Sequence, residues 1–101
     1  MIKLVEIVAD ESVSWRSGEQ SDGKVKYFLR EIFINPENVI YFVEDEIMKR
    51  KLTSGLLNLN IDSRQGFTKL SLRVGKDITI VGPPSTISEK LRTNKGNLLK
   101  G

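Results

Sequence analysis

The chain has no cysteine and no histidine among its 101 residues, and each absence removes a class of chemistry. Without cysteine there is no disulfide framework, no thiolate metal site and no thiol nucleophile, so stability has to come from packing. Without histidine the commonest general base and the commonest neutral metal ligand are missing. No catalytic residue, metal site or cofactor is therefore expected. Long apolar runs are lacking too: Val39-Ile40-Tyr41-Phe42-Val43 is far shorter than the roughly 20 residues a membrane-spanning helix needs. No segment is expected to cross a bilayer. Met1 to Val8 carries Lys3 and then Glu6 inside its apolar stretch and has no small-residue cleavage site after it, so it reads as a first strand and not as a signal peptide. A cytoplasmic location is the matching expectation.

What is present fits one globular domain. A hydrophobic fraction of 39% beside 29% charged residues excludes general disorder. The net charge of +3, from 16 basic and 13 acidic side chains, permits a phosphate-binding surface but serves ordinary solubility equally well.

Three polar stretches set the element count. Asp10 to Lys24, rich in Ser, Gly, Asp, Glu and Gln and containing Trp15, is expected to be a long exposed loop between two strands. In Val25 to Ile34 the apolar parity changes between Leu29 and Ile32, which predicts a bulge or sharp bend within a strand. Asn35-Pro36-Glu37-Asn38 makes a tight turn, because proline fixes φ and asparagine tolerates turn geometry. Val39 to Val43 is apolar on both parities, which places it mid-sheet, inside a closing barrel or at a subunit interface.

Glu44 to Gly66 is an insertion whose acidic start and basic Met48-Lys49-Arg50-Lys51 suit the dipole of a short helix. Its later leucines either cover the core or extend a hairpin, and burial of Leu56, Leu57, Leu59 and Ile61 would show that it orders with the core. Phe67 to Val81 predicts a β-hairpin turning at Gly75-Lys76-Asp77. Gly82-Pro83-Pro84 ends it, and Thr86 with Glu89 forms a capping box that opens a short helix burying Ile87 and Leu91. Residues 93–101 read as a flexible tail after a single domain over 1–92. The fold expected is mainly β: about five strongly bent antiparallel strands in a small barrel-like or curved sheet of the Sm or SH3 kind, with a short C-terminal helix.

Met1-Ile2-Lys3-Leu4, the Asn35-Pro36-Glu37-Asn38-Val39-Ile40 turn and strand, and Thr68 to Leu91 with Gly75-Lys76-Asp77-Ile78-Thr79-Ile80-Val81 resemble the small flagellum-associated FlbD-like proteins. Those are short chains with a Leu-x-x-Gly-Lys-x-Ile-x-Val hairpin followed by a short helix. The present chain departs from them in its long first loop and its insertion after strand three. In strand count it is also similar to the Sm-like barrels, which form rings and bind RNA, although their motifs fall on no residues here.

Two surfaces carry the functional candidates, both non-enzymatic. A self-associating module acting through protein contacts would use Val39, Tyr41 and Val43, with Trp15 as a loop-tip anchor or a cap on the core. The alternative is a single-stranded RNA or DNA surface in which Phe67 stacks a base and Lys69, Arg73 and Lys76 hold phosphates. Lys49-Arg50-Lys51 with Lys90, Arg92 and Lys95 would widen it if the two helices lay together. The bland counterpart is a solvated strand face with Phe67 packed under the insertion. Glu44-Asp45-Glu46 reads as a helix start, not a catalytic carboxylate pair, and Gly82 to Thr86 lacks the Gly-Lys-Ser/Thr ending of a phosphate loop. Partners are therefore a second copy or another protein, with nucleic acid as the alternative and no membrane.

Overall fold

Strict alternation builds the first strand, β1 (Ile2–Asp10), which turns Ile2, Leu4 and Glu6 to one face and Val5 and Ile7 to the other. The computed structural model describes residues 1–10 and 25–100, with side chains described as far as Thr93. Trp15 and the polar loop around it lie outside the described residues. β1 pairs with β2 (Lys26–Ile34) over a continuous antiparallel ladder, from Ile2 opposite Ile34 to Asp10 opposite Lys26. No register shift interrupts this ladder, so of the bulge or sharp bend expected in the second strand the bulge is absent. The parity changes there because the covered face changes: Tyr27 packs under the insertion, whereas Ile32 and Ile34 pack on the opposite face.

Three further strands, β3 (Val39–Glu44), β4 (Phe67–Leu72) and β5 (Ile78–Val81), complete one antiparallel sheet in the order β2-β1-β5-β4-β3. β2 and β3 are consecutive in the chain yet form opposite edges. A flat sheet of five strands would hold its edge strands about 19 Å apart. Ile34 to Val39 is five residue steps, about 17 Å at full extension. The 3-10 turn Pro36–Asn38 shortens that reach further. The sheet must therefore curl, and both edges feed one cluster on its concave face. It stays open: it is a curved sheet and not a closed barrel.

The turn itself is built from Asn35 and Asn38. The Asn35 side chain accepts from Glu37 N–H at 3.0 Å, and buried Pro36 takes the first helical position. Asn38 accepts from Val74 N–H at 3.0 Å and its backbone carbonyl accepts from Arg73 N–H at 2.7 Å, tying the turn to the loop between β4 and β5.

Each face of the sheet has its own apolar cluster. On the concave side Ile2, Leu4, Ile34, Leu70 and Ile80 pack against Ile87 and Leu91 of the last helix, α2 (Pro84–Lys100). On the convex side Ile7 and Phe67 pack against Leu52 of α1 (Glu46–Thr53) and against Leu57. The insertion thus orders with the core, with Leu57 buried, Leu59 and Ile61 half-buried and Leu56 exposed. Lys49 fastens it by donating from Nζ to the carbonyls of Ser63 at 2.9 Å and Gln65 at 2.8 Å.

The last helix differs from expectation at both ends. It opens at Pro84, not after a Thr86 cap, because proline is pre-set for a first helical position, and the Pro83 carbonyl accepts from Thr86 and Ile87 N–H. Its helical backbone runs on to Lys100, which makes it longer than the short helix expected. Asn94, Gly96 and Asn97 each cost a helix only about 1 kcal/mol or less, and no proline follows to stop it. Gly82, with φ +132°, makes the corner between β5 and this helix, and its carbonyl accepts from the buried Thr68 hydroxyl at 2.7 Å.

Candidate interaction surface

The position of β3 removes the mid-sheet setting from those its double apolar parity allows. It is not mid-sheet: it pairs with β4 on one side, and among the described residues no strand meets its other side. Phe42 and Val39 turn into the concave cluster, and Tyr41 and Val43 sit opposite Ser71 and Lys69 on the convex face. A register shift between Val39 and Tyr41 leaves Ile40 without a partner in β4. Ile40, Tyr41 and Val43 are 57%, 56% and 49% exposed, and Ile47 at the start of α1 is 62% exposed. Ile40, Tyr41 and Val43 form an apolar ridge on this edge strand.

Ionic character separates this edge from the other one. From Val39 to Val43 there is no charge, and Glu44 is the only charged residue of β3. β2 also exposes Phe28, Leu29 and Phe33, but Lys26, Arg30 and Glu31 interrupt them. Arg30 Nε is 3.0 Å from a buried Glu6 oxygen, and Lys3 Nζ is 3.7 Å from Glu31. Charges along an edge are a usual protection against pairing with another chain, and β3 lacks it.

Two hollows flank the ridge. One, of about 360 Å³, lies between β3 and α2 and is walled by Pro36, Val39, Ile40, Phe42, Leu91 and Arg92. The other, of about 750 Å³, is wider and lies at the turn, with Asn35, Asn38, Arg73 and Val74 on its walls.

The residues expected to form a nucleic-acid surface do not come together. Phe67 is fully buried beneath α1 and offers no ring face to a base, as the packing alternative required. Lys69 is exposed on the convex face, while Arg73 and Lys76 sit beyond the end of β4 in the loop to β5. Arg73 Nε lies 3.3 Å from the Glu37 carbonyl. The helical cations do not widen a patch, because α1 and α2 cover opposite faces of the sheet. Lys51 Nζ bonds the Tyr27 hydroxyl at 2.7 Å and lies 5.2 Å from its ring centre, and Arg92 pairs with Glu89.

Among the acidic residues at the start of α1, Asp45 has a structural task. It caps the helix by accepting from Met48 N–H at 3.0 Å and accepts from the Thr79 hydroxyl at 2.7 Å. Glu44 and Glu46 remain exposed beside it. Among the described residues no group of three or more Asp or Glu side chains is placed to hold a metal ion, and no helix is long and apolar enough to cross a membrane. Hydrogen bonds from Arg64 hold the Asp62 carboxyl below the ordinary carboxylate range, and the same pair raises Arg64.

Ile40 belongs to the ridge although the sequence marks it only as part of Val39 to Val43 and not among the named interface residues. A bulge residue carries no periodicity signal of its own. No protein-family model, no curated protein and no solved structure matches the chain.

Proposed function

We propose that the protein is a small non-enzymatic binding module that acts through protein contacts and associates with itself along the outer edge of β3. The carrying observation is the exposure of Ile40, Tyr41 and Val43 on a strand that has no charge before Glu44 and, among the described residues, no neighbour on its outer side. Such an edge offers main-chain donors and acceptors together with apolar area, which is the chemistry of strand addition. The nucleic-acid alternative has lost its stacking aromatic, since Phe67 is buried.

Light scattering across a concentration series tests the proposal. A mass above that of the monomer, reduced to the monomer by Tyr41→Lys with Val43→Lys, is expected. A wild-type chain that stays monomeric at every concentration would sink it. A salt-sensitive complex with short single-stranded RNA or DNA, lost on changing Lys69 and Arg73 to Ala, would favour the alternative instead.

A further inference from the structure

The two apolar clusters share no residue. The insertion supplies Met48, Leu52, Leu57, Leu59 and Ile61 to the convex cluster and nothing to the concave one, whereas α2 supplies Ile87 and Leu91 to the concave cluster and nothing to the convex one. A sheet of several strands with a helix packed on one face is already a stable two-layer arrangement. The concave half can therefore stand when the convex cover is gone.

Polar bonding divides in the same way. Both ends of the insertion are pinned by main-chain bonds: Asp45 N–H donates to the Phe67 carbonyl at 2.9 Å, and Gly82 N–H donates to the Gly66 carbonyl at 2.8 Å. The Thr79 hydroxyl holds the Asp45 carboxylate as well, at 2.7 Å. Between the pins the bonds are internal, as in Lys49 to the Ser63 and Gln65 carbonyls and Arg64 to Asp62. Among the described residues, the bond from Lys51 Nζ to the Tyr27 hydroxyl is the one that joins this stretch to a strand.

We infer that Glu46 to Gln65 is a lid that leaves the convex face as one unit, hinged at Asp45 and Gly66 and latched by Lys51 on Tyr27, while the sheet and α2 stay folded. α1 has eight residues, fewer than the roughly 12–15 that let a helix persist alone in water, so it melts once it leaves the sheet. The carbonyls that Lys49 holds are released with it. Opening exposes Ile7, Phe67 and Val81 on an intact sheet. The protein thus has two forms, one with the convex cluster covered and one with it bare. β3 and its ladder with β4 belong to both, so the lid is independent of the self-association proposed above.

The alternative is a fold that opens only as a whole. Native-state hydrogen exchange separates the two, under conditions where exchange reports the opening equilibrium. The amides of Ser54, Leu56 and Gln65, bonded inside the lid, should share one opening constant, larger than that of β1 and β5 by roughly 10-fold or more, and the Asp45 and Gly82 amides should exchange with the sheet. Two variants then act on different openings. Ile87→Val thins the concave cluster, which the open lid leaves intact, so β1 and β5 amides should exchange roughly threefold faster or more and lid amides at the wild-type rate. Tyr27→Phe weakens the closed form against every opened one, so lid and sheet amides should accelerate alike, by roughly fivefold. Lid amides that exchange no faster than β1, or that accelerate together with β1 in Ile87→Val, would overturn the lid. Lid amides indifferent to Tyr27→Phe would overturn the latch.

Discussion

Replacing Asp45 by alanine removes a side chain that joins three parts of the fold while leaving its backbone bonds in place. One carboxylate oxygen accepts from Met48 N–H at 3.0 Å and caps α1; the other accepts from the Thr79 hydroxyl of β5 at 2.7 Å. The Asp45 N–H itself donates to the Phe67 carbonyl at 2.9 Å and should persist in the variant. Loss of an N-cap costs about 1 kcal/mol, and loss of a charge-assisted, half-buried hydrogen bond costs about 1 kcal/mol more. Asp45→Ala should therefore destabilise the protein by about 2 kcal/mol, which for a chain of this size lowers Tm by roughly 8–16 °C. Urea denaturation at neutral pH, with an unchanged m-value, is the assay. Thr79→Val should cost about 1 kcal/mol alone and almost nothing in the Asp45→Ala background, since the bond it removes is already gone. A loss below about 0.5 kcal/mol for Asp45→Ala, or strict additivity in the double variant, would refute the cap-and-clasp role.

Phe67→Ala should cost about 3–5 kcal/mol, because Phe67 is fully buried between β1, α1 and Leu57, and thermal unfolding would register this as near-complete loss of the native state. Arg30→Ala leaves the buried Glu6 carboxylate without its partner at 3.0 Å and should cost about 1–3 kcal/mol; adding Glu6→Leu should recover part of it, because position 6 lies beside Ile80. Lys49→Met releases the carbonyls of Ser63 and Gln65, so hydrogen exchange around residues 61–66 should accelerate while β1 and β5 stay protected. The Asp62 carboxyl should titrate below the ordinary value of about 3.9 and rise toward it in Arg64→Ala, as read by NMR. Because its folded value is lowered, its small stabilising effect is present above the ordinary carboxylate pKa and is lost as pH falls through the lowered value.

Much of the sheet was legible because local periodicity and turn chemistry agree in β1, β4 and β5. Leu70 and Leu72 alternate with Ser71, Gly75 sits in the turn with φ +107°, and the hairpin pairs as that pattern implies. β2 misled about the bulge for a physical reason. Its parity change predicts a bulge or sharp bend; the ladder keeps its register and the strand exchanges its cover, with Tyr27 meeting the insertion and Ile32 and Ile34 meeting the concave cluster. One sequence pattern has two causes, a bend in the strand or a change in what lies on it, and only the tertiary arrangement separates them. The Thr86 and Glu89 spacing misled similarly: a capping box and a proline start two residues earlier compete for the same helix, and Pro84 takes it.

The candidate surface was half legible for a related reason. A strand apolar on both parities needs two covers, and Val39 to Val43 was set apart on that ground. Order in the sheet then determines which side lacks one, and order depends on the curvature that brings Ile34 within a turn's reach of Val39. Curling covers Val39 and Phe42 from within and leaves Ile40, Tyr41 and Val43 outside on an edge. The same turn that forces the curvature also holds Arg73, through the main-chain carbonyls of Asn38 and Glu37. Asn35 to Asn38 therefore does two things from four residues: it closes the core on the concave side, and it ties the loop between β4 and β5 to the start of β3. Asn38→Ala removes the side-chain bond to Val74 N–H but leaves the main-chain bond from Arg73 N–H to the Asn38 carbonyl, so it should cost about 1 kcal/mol and speed hydrogen exchange at Val74 while Arg73 stays protected. Equal loss of protection at both amides would refute that division.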